Sequence, residues 1–214
     1  MTYLADHWGN ILTLAGRHLY LSLLPLLIGL VLSLPIGWLA RRYTALYTPV
    51  VIGTGLLYTL PSLAVFILLP GIIGTKILDP VNVLVAMTIY TVALLARTVA
   101  DGLGAVPEEV RLSATAMGYR GLSRLVRVEL PLAVPVIAAG LRVAVVSNVS
   151  IVSVAALIGV PQLGSLFTDG FNRNFLDPIV IGVVACVVLA LVLDLAVVLL
   201  SRLLTPWLRA GRPA

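Results

Sequence analysis

The sequence predicts an all-α, polytopic membrane protein of about five transmembrane helices. Three observations carry that prediction. The 214 residues are 60% hydrophobic and 11% charged, with a mean hydropathy of +1.12, whereas a soluble domain carries about 25% charged residues to keep its surface wet. The apolar residues gather into runs of about 20, the length that crosses a ~30 Å hydrocarbon core. None of those runs alternates strictly between polar and apolar positions, which argues against a transmembrane β-barrel. A single transmembrane domain over 1–214 accounts for the chain.

The first apolar segment runs from about Leu19 to Ala40 and is closed by Arg41-Arg42. Residues 1–16 lack the basic start and small-residue cleavage site of a signal peptide, so the first span is expected to remain in the mature protein. The second covers about Val50–Ile73, broken internally by Pro61 and Pro70. The third is about Val81–Ala100, with Arg97 and Asp101 at its end; the fourth runs from Leu132 to about Val160. The fifth is about Ile179–Leu204, with Arg202, Arg209 and Arg212 at and beyond its end.

If five spans alternate, Arg41, Arg42, the arginines between 111 and 127, and Arg202, Arg209 and Arg212 share one side. Arg17, Lys76 and Arg173 lie on the other, two of them beside acids (Asp79; Asp169 and Asp177). The excess of Lys and Arg marks the cytosolic side, so the amino terminus is predicted outside and the carboxyl terminus inside. The net charge of +5 and isoelectric point near 9.8 are thereby topological, and they exclude nucleic acid as a partner. Pro25, Gly29, Pro35, Gly37, Gly53, Gly55, Pro61, Gly140 and Gly182 fall inside spans. Such breaks are tolerated in lipid where neighbouring helices or a cavity satisfy the freed backbone groups, which suits a conduit or a moving bundle better than an anchor.

The lone cysteine, Cys186, excludes an internal disulfide. His7 and His18 are too few and too isolated for a metal site and read as interfacial or pore-rim residues. No catalytic constellation and no Gly-x-x-x-x-Gly-Lys-Ser/Thr phosphate loop occurs, so the chain is not expected to be an enzyme or an ATPase.

The one long polar interruption is 107–131, which holds Arg111, Arg120, Arg124 and Arg127, with Arg142 just beyond. Pro107 at a first helical position and Glu108 and Glu109 in the first turn predict a helix start. Val110, Ala114 and Met117 form a narrow apolar stripe, and Gly118 ends the helix where a left-handed residue is cheapest. Ser123 is placed to cap a second short helix bearing Leu125, Val126 and Leu130, which Leu130-Pro131 should stop. Helix, glycine joint and helix at the bilayer face suit either a lever gripped by a cytosolic partner or a plain interfacial linker.

This stretch resembles the EAA loop of ABC-importer permeases: Glu-Ala-Ala, three residues, Gly, nine residues, Ile, any residue, Leu-Pro. Gly118, Val128, Leu130 and Pro131 stand at the glycine, isoleucine, leucine and proline places, and Ala114 at the second alanine. Ser113 replaces the first alanine and Leu112 the glutamate, leaving Glu108 and Glu109 a turn away as the nearest acids before it. His18-Leu19-Tyr20-Leu21-Ser22, Pro35-Ile36-Gly37, Leu60-Pro61-Ser62-Leu63-Ala64, Val128-Glu129-Leu130-Pro131-Leu132-Ala133 and Ala156-Leu157-Ile158-Gly159 with Leu163-Gly164 look like the osmoprotectant branch. That branch imports glycine betaine, choline or carnitine.

The resemblance implies a type I ABC importer permease fold and a division of labour. Two permease subunits, identical or paralogous, form the path; a cytosolic ABC ATPase dimer, carrying ATP and magnesium, grips the loops. An extracytoplasmic binding protein delivers the solute. The setting it implies is the cell (inner) membrane of a bacterium or archaeon. Cofactors are expected on the ATPase and none in this chain. Ser113, Ala114, Ala116, Met117, Gly118 and Tyr119 are the expected ATPase-coupling residues, Tyr119 serving equally as an interfacial aromatic. Arg120, Arg124 and Arg127 read as positive-inside residues or as phospholipid contacts.

For the path, Ser147, Ser150 and Ser153 recur at three-residue spacing with Asn148 beside them. Such small polar residues line a passage or pack helices. Gly159, Pro161 and Gly164 bound a turn read as an outer gate or a re-entrant connection; the family often has Gly-Gly where Pro161-Gln162 stands. Asp194, expensive in lipid, should face protein or water, snorkelling or hydrogen-bonded toward the cytosolic end of the fifth span. With 7% aromatic residues and no aromatic cluster, substrate selection is assigned to the binding protein. The alternatives are a permease for an amino acid or oxyanion, and an ion-coupled secondary transporter, which five spans without an even repeat disfavour.

Overall fold

The structure, a computed structural model, describes residues 2–207. Arg209 and Arg212, counted above toward orientation, lie outside the described residues. Among the described residues every regular element is helical: α1 (Thr2–Asp6), α2 (Trp8–Arg42), α3 (Thr44–Thr59), α4 (Ser62–Ile73), α5 (Pro80–Gly104), α6 (Glu108–Ala116), α7 (Gly121–Arg124), α8 (Leu130–Ser153), α9 (Ser165–Asn172) and α10 (Leu176–Leu204). A π-helical turn, Leu125–Glu129, joins α7 to α8, and a 3-10 turn, Val154–Ile158, extends α8.

Trp8–Arg42, Pro80–Gly104, Gly121–Ile158 and Leu176–Leu204 are each long and apolar enough to cross a membrane; α3 and α4 are the fifth when taken as one span, bent by 102°. The bend sits at Leu60-Pro61, where Pro61 precedes the first turn of α4, while Pro70 is carried inside that helix. The interrupted backbone is answered from the next span: the Tyr90 hydroxyl donates to the Leu60 carbonyl at 2.7 Å. Tyr47 at the start of α3 donates to Asp101 at the end of α5, 2.7 Å, whereas α4 packs against the Val154–Ile158 turn. The bent pair therefore runs from one end of the bundle to the other.

The first span starts eleven residues before its expected beginning, because Trp8–His18 continues the helix through mixed but helix-compatible residues. Its main partner is α5. Gly37 permits that approach: a Cβ there would lie 2.6 Å from Val99 Cβ and 2.8 Å from the Ala96 carbonyl oxygen. Successive layers fill the bundle. Phe66, Met87, Tyr90 and Ile158 pack at the α4 end, Leu26, Leu95, Ala144 and Val145 in the middle, and Val99, Leu103, Ala133 and Ile137 toward the 107–131 loop. The most hydrophobic stretch of α10 buries none of its residues, leaving an apolar helix surface for lipid or another subunit.

Candidate coupling loop and membrane-embedded polar cluster

The 107–131 loop begins as expected and then departs from expectation. Pro107 caps α6 from outside, with Glu108 and Glu109 in the first turn. Gly118 has φ +91°, a backbone that residues with a Cβ rarely adopt. Around it, Tyr119 N donates to the Ala114 carbonyl and Gly118 N to that of Thr115, both at 3.0 Å. The stripe turns inward at Ala114 alone: Val110 is half-buried and Met117 is 70% exposed. Ser113, Ala116 and Gly118 are exposed and Tyr119 is half-buried, so the structure presents most of the expected coupling residues on one projecting stub.

Two expectations fail here. Ser123 caps nothing; α7 opens at Gly121 after Arg120, without a side-chain cap. Leu130-Pro131 does not stop the helix either. Proline lacks an N–H and crowds the carbonyl four residues back; the π-helical register of Leu125–Glu129 absorbs that misfit, and one helical run continues from Gly121 to Ile158.

Two residues outside the expected site tie the stub to that run. Glu129 is buried and accepts from Arg124 Nε at 2.6 Å, while Arg124 Nη1 donates to Thr115 Oγ1 at 2.9 Å. Arg124 thus joins α6 to the foot of α8 across the Gly118 joint. The five-residue separation of Arg124 and Glu129 signals no contact in a regular α-helix, where partners stand three or four apart; the π turn brings them together.

Within the spans, the serines and Asn148 divide. Asn148 is 2% exposed and its Nδ2 donates to Thr91 Oγ1 at 3.0 Å and to the Ser22 carbonyl at 3.2 Å, binding α2, α5 and α8 together. Ser150 and Ser153 line a cleft of about 250 Å³ beside Phe167, Cys186 and Val187 of α9 and α10. Ser147 is not on that lining. Each three-residue step lags a full turn by about 60°, so six residues carry a side chain well round the helix.

The turn after α8 holds a cluster that sequence reasoning missed. Gly159 (φ +80°) and Pro161 are exposed, but Gln162 and Gly164 are buried. Gln162 Nε2 donates to the Ser153 carbonyl at 3.1 Å, its Oε1 accepts from Gly164 N, and its own N–H donates to Ser165 Oγ at 3.2 Å. His18 is fully buried, with Nδ1 2.9 Å from Gln162 Oε1 and Nε2 2.9 Å from the Val149 carbonyl; Ser22 Oγ donates to the His18 carbonyl. His18 is therefore an interior bridge between α2, α8 and the turn, which corrects its reading as a rim residue. Asp194 is met by Arg142, whose Nε and Nη2 donate to the two carboxylate oxygens at 2.7 and 2.8 Å. This fork joins α8 to α10, so of the two expectations for Asp194, snorkelling or a hydrogen bond, the structure shows the hydrogen bond. Arg142 stands twelve residues into α8 and belongs with the span's charges instead of the loop's.

Residues 26–210 match the family of binding-protein-dependent transport system inner membrane components. Osmoprotectant import permease protein OsmW of Salmonella typhimurium is 33% identical over 207 residues, spanning 95% of this chain and 96% of that protein. The glycine betaine/carnitine/choline transport system permease protein OpuCB of Bacillus subtilis is 29% identical over 206 residues, spanning 96% and 94%. Among solved structures, an inward-facing MetNI methionine ABC transporter shares the fold with a TM-score of 0.80 at 19% identity, covering 91% of this chain and 96% of that one. An amino acid ABC transporter superposes with a TM-score of 0.73 at 16% identity, covering 94% and 97%. The chain belongs to the binding-protein-dependent transport system inner membrane component family and has the fold of a type I ABC importer permease.

Proposed function

We propose that this chain is the path-forming subunit of an ATP-driven importer for quaternary-ammonium osmoprotectants such as glycine betaine, choline or carnitine. The substrate class rests on full-length likeness to permeases named for those solutes. Coupling rests on one structural observation. The exposed stub Ser113–Tyr119 is fastened through Arg124 to a helical run 38 residues long that enters the bundle. At about 1.5 Å per residue such a run extends over 50 Å, so a push on the stub is carried into the spans.

In this reading a cytosolic ABC ATPase dimer binds ATP and magnesium and grips Ser113, Ala114, Ala116, Met117, Gly118 and Tyr119. A second permease, identical or paralogous, completes the path, and an extracytoplasmic binding protein delivers solute to the end near Gly159, Pro161 and Gly164. Ser150 and Ser153 face the passage; Ser147 and Asn148 support the helices around it. In the same reading the loop and carboxyl terminus are cytosolic and the amino terminus lies outside, which the excess of arginine on the loop side supports.

Co-expression with the ABC ATPase and affinity purification of the full chain test the coupling. We expect the ATPase to be retained by the unaltered chain and lost from Ala116→Asp/Met117→Asp, which puts two charges on the stub without touching its buried Ala114. Purification with no ATPase, or retention unchanged in the double variant, contradicts the assignment.

A further inference from the structure

A basic pocket lies where the end of α2 meets the loop. Its volume is about 330 Å³, and Trp38, Arg41, Arg42, Arg111, Arg124 and Glu129 line it with Gly121. Four arginines therefore face one carboxylate. Glu129 is engaged by Arg124, and Arg111 pairs with the exposed Glu108. Arg41 and Arg42 make no ion pair among the described residues; Arg42 lies over the rings of Trp38 and Tyr43 at 5.2 and 5.7 Å. Arg111 Nε is shut away from solvent with no acceptor among the described residues. A buried donor left unmatched is costly, so the lining carries an unmet need for an oxygen acceptor as well as excess positive charge.

We propose that this pocket binds a phosphate group, that of an anionic phospholipid in the leaflet on the loop side. Guanidinium forks suit phosphate oxygens, which accept several charge-assisted hydrogen bonds at once. The placement favours a lipid over a free ion. The pocket lies at the end of a helix long and apolar enough to cross a membrane, and Trp38 stands about one turn before that end, a position where indole rings favour the bilayer surface. Basic pockets between spans at that depth take lipid headgroups. An occupant there touches Arg111 of α6, Arg124 of α7 and the arginines of α2 together, and so bears on the posture of the stub.

Native mass spectrometry of the detergent-purified full chain, titrated with phosphatidylglycerol or phosphatidylcholine, tests the proposal. We expect one phosphatidylglycerol to be retained preferentially and Arg41→Gln/Arg111→Gln to weaken it by about tenfold or more, with elution and thermal unfolding of the variant checked alongside. Arg17→Gln/Lys76→Gln, which removes equal charge outside the lining, should leave retention intact. Equal retention of the two lipids by the unaltered chain, or equal loss in both double variants, overturns the proposal. Loss of the bound lipid when the ATPase is added also overturns it and assigns the pocket to a protein contact. Titration with inorganic phosphate separates the sources: no thermal protection at concentrations where short-chain phosphatidylglycerol protects supports the lipid, and equal protection by both overturns the lipid assignment in favour of a free anion.

Discussion

Replacing Gly118 by valine isolates the joint between stub and span. Its φ of +91° is adopted with open space around it: a Cβ built there meets nothing within 4 Å. The substitution therefore brings no clash, and its whole cost is backbone. For a residue with a Cβ that cost is roughly 1–2 kcal/mol, and a β-branched side chain lies at or above the upper end. About 2 kcal/mol shifts a two-state joint some thirtyfold away from the observed geometry, at tenfold per 1.4 kcal/mol. The position is exposed and outside the spans, so thermal unfolding should change little. In proteoliposomes holding the ATPase and supplied with loaded binding protein, stimulated ATP hydrolysis and uptake should both fall about tenfold or more, with Gly118→Ala intermediate. Gly9→Val, also in open space but with ordinary helical φ, is the control and should leave both near the unaltered level. Normal uptake and normal stimulated hydrolysis in Gly118→Val would refute the lever and leave the loop a linker.

Three further outcomes follow from the polar residues described above. Gln162→Leu removes the partner of Gly164 N, the Ser153 carbonyl and His18 at once; at about 1–3 kcal/mol for a buried group left unsatisfied, it should lower the thermal midpoint in detergent clearly, and an unchanged midpoint would show the cluster to be dispensable. Asp194→Leu strands Arg142 and should destabilise the chain, while Asp194→Leu/Arg142→Leu should recover part of the loss, because removing both partners leaves no lone charge; a double variant worse than the single contradicts the pair's structural role. Asn148→Leu should cost stability without changing solute preference, whereas Ser150→Trp, which fills the cleft lining, should cut uptake while the protein stays folded; full uptake with Ser150→Trp would remove that face from the path.

The spans were legible because hydropathy alone marks a segment long enough to cross lipid, and the break at Pro61 and the joint at Gly118 were legible because proline and glycine carry backbone constraints that do not depend on tertiary context. The continuation through Pro131 was not, since Leu125–Glu129 absorbs the proline in a π-helical register, with Leu125 and Leu130 packed against the bundle, and no residue's own preference signals that register. His18–Gln162 and Arg142–Asp194 join residues 144 and 52 positions apart in sequence, and no local pattern encodes which distant partner a polar side chain meets. Serine spacing pointed to one face of α8, but the structure splits it: Ser150 and Ser153 reach a cleft, and Asn148 is spent on holding three helices together.

The measurement that bears most directly on the central claim is uptake of labelled glycine betaine, choline and carnitine into proteoliposomes containing this chain, its ATPase and any second permease, with binding protein outside. The account predicts accumulation of at least one of these solutes that requires ATP with magnesium on the ATPase side and binding protein on the other, and that an ionophore leaves intact. Uptake driven by an ion gradient without ATP, or accumulation indifferent to the ATPase, would contradict it.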